Sequence, residues 1–171
     1  ECTTLHLCYT FTNVSDESVQ INLTAYLDPD LYFGTGGLSN DLAGTYTEEP
    51  RRLRQFEGTP TNTVPTAFAG LNAGASQDYL SSWEIGSFSE MRNRIQSGIG
   101  PTGCTTLLNN INRNQQPIDF DQDLVSDRGF DATLAIHFAT RELSPNQISP
   151  TICYDVEWGV TTPCSDGDGD G

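Results

Sequence analysis

The residues of this chain that could do chemistry are few and unevenly spread. Five cysteines, Cys2, Cys8, Cys104, Cys153 and Cys164, lie far apart, with no CxxC pair among them. Zinc sites and thioredoxin-like motifs bring their sulfurs close together in sequence, so this spacing points to disulfides in an oxidising compartment. The odd count leaves one thiol free, shared between subunits, or paired beyond residue 171. Cys2 and Cys8 cannot bridge each other if they share a strand. Their separation spans roughly 20 Å of extended chain, whereas bridged Cα atoms lie about 4.4–6.8 Å apart. Cys153–Cys164 is the expected pair, because the chain can turn at Gly159. Cys8–Cys104 comes next and leaves Cys2 as the odd thiol.

The acidic residues suggest two further chemistries. Asp166, Asp168 and Asp170, each followed by glycine, match the first half of a D-x-D-x-D-G calcium loop, without the bidentate Glu that closes such loops. Calcium at this tail is the one cofactor the sequence suggests. Asp119, Asp121 and Asp123 repeat the spacing without the glycine and read as a solvated loop. Asp155 and Glu157 project from the same face of one strand. Glycosidases usually draw their two carboxylates from different strands, so this pair reads as an exposed strand face. The two histidines, His6 and His137, come with no G-x-S-x-G, H-E-x-x-H or Cys-His motif. No catalytic residue is assigned, and the chain reads as a non-enzyme.

Other residues are candidates for contact with partners. All eight basic residues are Arg, and Arg51, Arg52 and Arg54 concentrate three of them on an otherwise acidic chain. Such a patch could attract another copy's acidic face. Asn13 and Asn22 each open an N-x-S/T sequon, about as many as chance supplies here; Asn22 lies on a polar strand face that can take a glycan. Of the two tryptophans, Trp83 and Trp158, the latter falls on an apolar strand face, where core packing is expected rather than a sugar-stacking platform.

The elements that position these residues are mostly β. Leu5, Leu7, Tyr9 and Phe11 alternate with His6, Cys8, Thr10 and Thr12; Val19, Ile21, Leu23, Ala25 and Leu27 alternate in the same way. Period-two alternation marks half-buried strands, and the turn residues 13–18 between them predict a hairpin. Leu134, Ile136 and Phe138, then Ile152, Tyr154, Val156 and Trp158, predict a second hairpin about the turn at 143–147. Two hairpins with one apolar face each are buried most economically sheet on sheet. The fold expected is an antiparallel β-sandwich, Ig-like or jelly-roll. Residues 34–128 read as a loop-rich middle insertion with short strands near 52–56 and 66–71. Ser87 and Glu90 have capping-box spacing ahead of Met91 and Ile95, and Gly98 is a stop, which predicts a helix over 88–97. Leu107, Leu108 and Ile111 suggest a second over 104–113. One domain over 1–164, with an Asp-Gly tail over 165–171, accounts for the chain.

Composition bounds the function. A chain of 171 residues can bury about 70% of its unfolded surface, enough for a core without a metal. A formal charge of -15 and a pI near 4.1 argue against nucleic acid and anionic membrane surfaces as partners. No run of about 18 apolar residues could span a membrane. Glu1-Cys2 leads straight into strand-like sequence, as expected of a form whose leader has been removed, which with the cysteines points to an extracellular or cell-surface location.

The opening strand, through Leu5, Leu7, Tyr9 and Phe11, resembles the amino-terminal donor strand of fibre-forming subunits such as chaperone–usher-type pilins and biofilm-matrix fibre proteins. The resemblance implies that these four side chains complete a neighbour's β-sandwich and that the chain self-associates into a homopolymer. The segment from Asp131 to Trp158 is similar to the terminal hairpin of secreted bacterial β-sandwich domains, and the Asp-Gly tail to thrombospondin type 3 repeats. The turn after Phe11 is short enough for the first strand to pair with the second instead, which would close an ordinary domain. The expected function is an extracellular structural subunit of a filament or surface assembly that polymerises through its N-terminal strand. The alternative is a carbohydrate-binding or adhesive module of a larger secreted protein, and a secreted hydrolase trails both.

Overall fold

The computed structural model describes residues 2–31, 40–45, 52–57, 67–98 and 105–160. In chain order its strands are β1 (Cys2–Tyr9), β2 (Val19–Leu27), β3 (Leu42–Gly44), β4 (Arg52–Phe56) and β5 (Ala67–Asn72). There follow β6 (Leu80–Ser87), β7 (Asn110–Arg113), β8 (Gln116–Pro117), β9 (Ala132–Leu143) and β10 (Ile152–Val160). A 3-10 turn covers Gly74–Tyr79 and one helix, α1, covers Phe88–Ser97. Among the described residues the strands form two five-stranded sheets, ordered β1-β10-β5-β4-β3 and β2-β9-β6-β7-β8. The protein is a β-sandwich. All pairs are antiparallel except β6 with β7, which is parallel.

The core lies between the two inner faces. Leu53, Leu71 and Ile152 of the first sheet meet Trp83, Ile85, Leu134, Ile136 and Phe138 of the second, with Tyr154 and Val156 packed at the margin. Leu134, Ile136, Phe138, Ile152, Tyr154 and Val156 are apolar positions of the period-two patterns, and the alternation put them on the inner side. The central strand β9 is buried on both faces from Ala132 to Phe138. Its second face carries Ala135, which packs with Met91 of α1 and with Leu107, and His137, which hydrogen-bonds Thr24 Oγ1 at 2.7 Å. Burial holds the His137 imidazole below its usual range.

The helix forms where expected. Gly98 closes it at φ 59°, a left-handed conformation that glycine adopts without penalty. Ser87 stands at the N-cap but makes no side-chain cap bond; the Phe88 N–H donates instead to Asp131 O at 3.1 Å. The helix is clamped from beneath by Glu84, fully buried on β6. Its carboxylate accepts from Arg94 of α1, from the Asn112 amide on β7, and from the Leu108 N–H at 3.1 Å. One side chain therefore fixes helix, parallel strand and connection together.

Four expectations change. Neither predicted hairpin forms: β1 pairs with β10 and β2 with β9, so each pair of sequence neighbours is split between the two sheets. The chain crosses at residues 10–18 and 144–151, and the two crossings bond each other through Asn13 N to Gln147 O and Asn146 N to Asn13 O, both 2.9 Å. The buried Asn13 side chain donates to Glu17 O and Leu143 O and accepts from Ser15 N, so a segment that reads as a tight turn works as a crossover. The middle is no insertion, because it supplies β4 and β5 to one sheet and β6 to the other. The second helix is absent from 105–113: Asn109 turns left-handed at φ 53° and the chain then pairs with β6 as β7. The sheets are mixed rather than wholly antiparallel.

Breaking a buried ion pair by removing one partner leaves an uncompensated charge and costs about 3–5 kcal/mol. Glu84→Ala should lose on the order of 3 kcal/mol of stability in denaturant unfolding. A double-mutant cycle with Arg94→Ala should show strong coupling between the two positions.

Candidate functional site at the first sheet edge

The site is built by the register of β1 on β10. His6 lies opposite Asp155, Cys8 opposite Cys153 and Thr4 opposite Glu157, with no slip along the pairing. Alternation sends Leu5, Leu7 and Tyr9 to the other face with Val156, Tyr154 and Ile152. Tyr9 and Tyr154 stack there with ring centroids 6.0 Å apart. Burial pushes the Tyr154 hydroxyl up to about 12, helped by its bond to Tyr9.

On the outer face, Glu157 is buried. It receives Arg54 at 3.3 Å, Arg52 at 3.6 Å and the Asn72 amide at 3.3 Å. The Arg54 guanidinium also lies 5.6 Å over the Phe68 ring. Gly70 makes room for it: a Cβ there would meet Leu53 O at 2.8 Å and Arg54 Cγ at 3.2 Å. Arg54 is thus an internal ion-pair partner rather than a surface contact, and Arg52 joins it. The expectation that Asp155 and Glu157 form an exposed acidic face fails for the same reason.

Beside this cluster, Asp155 Oδ1 is 2.5 Å from His6 Nδ1, and His6 Nε2 is 3.1 Å from Cys8 Sγ. Cys8 is bonded to Cys153. The pairings with Cys164 and Cys104 are thereby replaced, since Cys8 and Cys153 face each other across adjacent strands with Cα atoms 4.1 Å apart. A trace of this block is visible in sequence: H-x-C in the first strand and C-x-D in the last match only if the two strands run antiparallel side by side. Cys104, Cys164, Arg51, Asp166, Asp168 and Asp170 lie outside the described residues.

The rim of this edge is apolar and open. Leu5 is 46% exposed and Trp158 43%, with Tyr9 and Val160 also exposed. Trp158 was expected in the core. It is exposed because β10 runs on past Ile152, Tyr154 and Val156, where the core lies. Leu7 and Phe11 are half-buried. Of the sequons, Asn22 is exposed on β2 and Asn13 is enclosed in the crossover.

Three acidic groups gather elsewhere. Asp119, Asp121 and Asp127 bring carboxylate oxygens within 4.8 Å of one another, an arrangement of oxygens that could hold a hard divalent cation. Each already bonds the backbone of its own loop, including Asp119 Oδ2 to Leu124 N at 3.1 Å. Asp28, Asp30 and Asp131 converge in the same way, and burial, then the neighbouring Asp30 and Asp131, pushes Asp28 up to about 6. Asp41, 1% exposed, accepts from the Gln55 amide at 2.7 Å. Burial, followed by the charge of Glu57 and Asp131, pushes it up to about 7 against the opposing Gln55 bond. Sequence reading missed this group, because an Asp just ahead of a short strand carries no sign of its burial.

No family model matches this chain, and neither a curated protein nor a solved structure does.

Two outcomes follow from this geometry. Any N-linked glycan should map to Asn22 and not to Asn13, a buried side chain whose amide nitrogen is engaged in two hydrogen bonds; glycopeptide mapping after expression in a glycosylating host checks this. A carboxyl whose folded pKa is raised binds its proton more tightly in the folded chain, so the stability it contributes is full below 3.8 and is lost as pH rises through about 7. Asp41→Asn should therefore raise stability at pH 8 by on the order of 2 kcal/mol while changing little at pH 4. Thermal melts across that range would show the wild-type slope flattened in the variant.

Proposed function

We propose that this domain is an extracellular structural subunit that self-associates through its N-terminal strand, with the outer edge of β1 as the contact. The observation that carries this reading is an unprotected edge. Strand β1 pairs along its eight residues with β10 and, among the described residues, with no strand on its other side. It contains neither proline nor any Asp, Glu, Lys or Arg, and no bulge interrupts it. Natural edges are blunted by charge, proline, bulges or short length, since bare backbone groups template another strand. The other edges follow that rule: β2 shifts register between Ile21 and Leu23, β3 is three residues long, and β8 is two residues long and ends in Pro117.

A second copy offers a matching edge, and antiparallel pairing about a two-fold axis would join the two through main-chain hydrogen bonds. The exposed Leu5, Tyr9, Trp158 and Val160 supply apolar surface beside it. A net charge of -15 opposes indiscriminate contact elsewhere and favours this uncharged strip. The donor mechanism implied by the fibre resemblance takes a different form here. Because β1 is bonded to β10 and to Cys153, what it offers a neighbour is its free edge rather than the strand itself. An edge-to-edge pair closes as a dimer, and a longer assembly needs a second contact.

The carbohydrate-binding reading is favoured by one observation, the exposed indole of Trp158, which offers an aromatic face on which a sugar ring could stack. Light scattering on size-exclusion fractions separates the two. Wild-type protein should show a dimer or larger species, and Leu5→Glu should be monomeric with an unchanged melting temperature. A wild-type chain that stays monomeric at every concentration and binds glycans through Trp158 would overturn the assembly reading.

A further inference from the structure

We propose that the Cys8–Cys153 bridge is an exchange site for incoming aliphatic thiols, with His6 stabilising the sulfur that leaves and Asp155 as the residue that orients the imidazole. The proposal is independent of the assembly reading. It rests on a four-residue block, His6 and Cys8 on β1 against Asp155 and Cys153 on β10, held by one strand register. A structural bridge needs only the two sulfurs. Here the sulfur of one partner lies 3.1 Å from an imidazole nitrogen whose other nitrogen is 2.5 Å from a carboxylate. The order carboxylate, imidazole, sulfur is the arrangement that activates cysteine for nucleophilic chemistry.

Access supports it. The His6 side chain is 60% exposed, Cys8 is exposed and Cys153 is partly so, which leaves the bridge open to a small thiol from solvent. The carboxylate accepts from Nδ1 and fixes the ring, and because a bridged sulfur has no proton to give, Nε2–H is the donor toward Cys8 Sγ. The incoming thiol enters as its thiolate, with its proton left to solvent, while His6 stands as the imidazolium hydrogen-bonded to Cys8 Sγ. The thiolate attacks Cys153 Sγ and a new sulfur–sulfur bond forms there. The Cys8–Cys153 bond breaks, and its electron pair leaves on Cys8 Sγ as a thiolate. That thiolate is the one beside the imidazolium, which stabilises it. The products are a mixed disulfide on Cys153 and a Cys8 thiolate paired with protonated His6; no external oxidant or reductant beyond the thiol is needed. The geometry thus assigns different fates to the two cysteines: Cys153 is the sulfur attacked and Cys8 the sulfur released.

The test uses the full chain with reduced glutathione as the thiol and iodoacetamide as the trap, followed by peptide mass spectrometry. In the wild type, glutathione should appear on Cys153 and carbamidomethyl on Cys8. The exchange rate at pH 6.5 should fall on the order of tenfold in His6→Gln, and less in Asp155→Asn. The rates of wild type and His6→Gln should converge near pH 9.5, where an imidazole has no proton with which to assist the leaving sulfur. A merely structural role for His6 would shift neither the pH profile nor the labelled sulfur. Equal rates for wild type and His6→Gln at pH 6.5, or glutathione found mainly on Cys8, would overturn the proposal. Because His6 is exposed, both variants should keep the wild-type melting temperature, and that measurement guards against a folding defect.

Discussion

Burial of β9 on both faces is the constraint on which the rest of this sandwich depends. A strand enclosed from Ala132 to Phe138 must have its backbone paired on both sides and each face covered. The pairing comes from β2 and β6, the first face from the opposite sheet, and the second from α1. The second face is where polar groups are unavoidable, and several of them are matched. Thr133 Oγ1 donates to Gly86 O, His137 meets Thr24, and Glu84 on the neighbouring strand gathers Arg94, Asn112 and the Leu108 N–H. Glu84 thereby ties α1 and β7 to the strands of this sheet by polar contact as well as apolar.

The opposite sheet has a different logic. Its margin, β10 with β1, is covered on one face for only part of its length, and β10 is held by two registers. Its pairing with β5 puts Tyr154 and Val156 against the core and sets Glu157 under Arg52 and Arg54, and its pairing with β1 aligns His6 and Cys8 with Asp155 and Cys153. Because strand side chains repeat every two residues, a slip of one residue in either pairing would turn the side chains it aligns to the wrong face. The bridge between Cys8 and Cys153 locks the register with β1 covalently.

Acidity is the other theme of the molecule. A chain with a formal charge of -15 cannot keep all of its carboxylates in water and apart. Several meet in the fold, and the consequences depend on what stands beside them. Glu84 and Glu157 are buried against arginines. Asp28, Asp41 and Asp131 have mostly other acids for neighbours, so burial and repulsion act in one direction and raise their affinity for protons. Stability gained below neutrality at these positions is the counterpart of the solubility that surface acids confer.

Period-two alternation determined β1, β2, β9 and β10 and with them the sandwich class, and the capping spacing of Ser87 and Glu90 with the stop at Gly98 determined the helix over Phe88–Ser97, because each of these depends on residues within one short window. The inward set from Leu134 to Phe138 was legible for that reason, as was the stop at Gly98. Alternation says which face a side chain takes but not which strand lies beside it. Sequence proximity suggested the two hairpins, and only the tertiary fold decided that β1 goes to β10 and β2 to β9, through crossings held by Asn13. What depended on the partner strand could not be read from any one segment: the bridge from Cys8 to Cys153, the carboxylate behind His6, and the burial of Arg54. Each is a contact across residues far apart in the chain, where local pattern carries no energy term and strand pairing carries all of it.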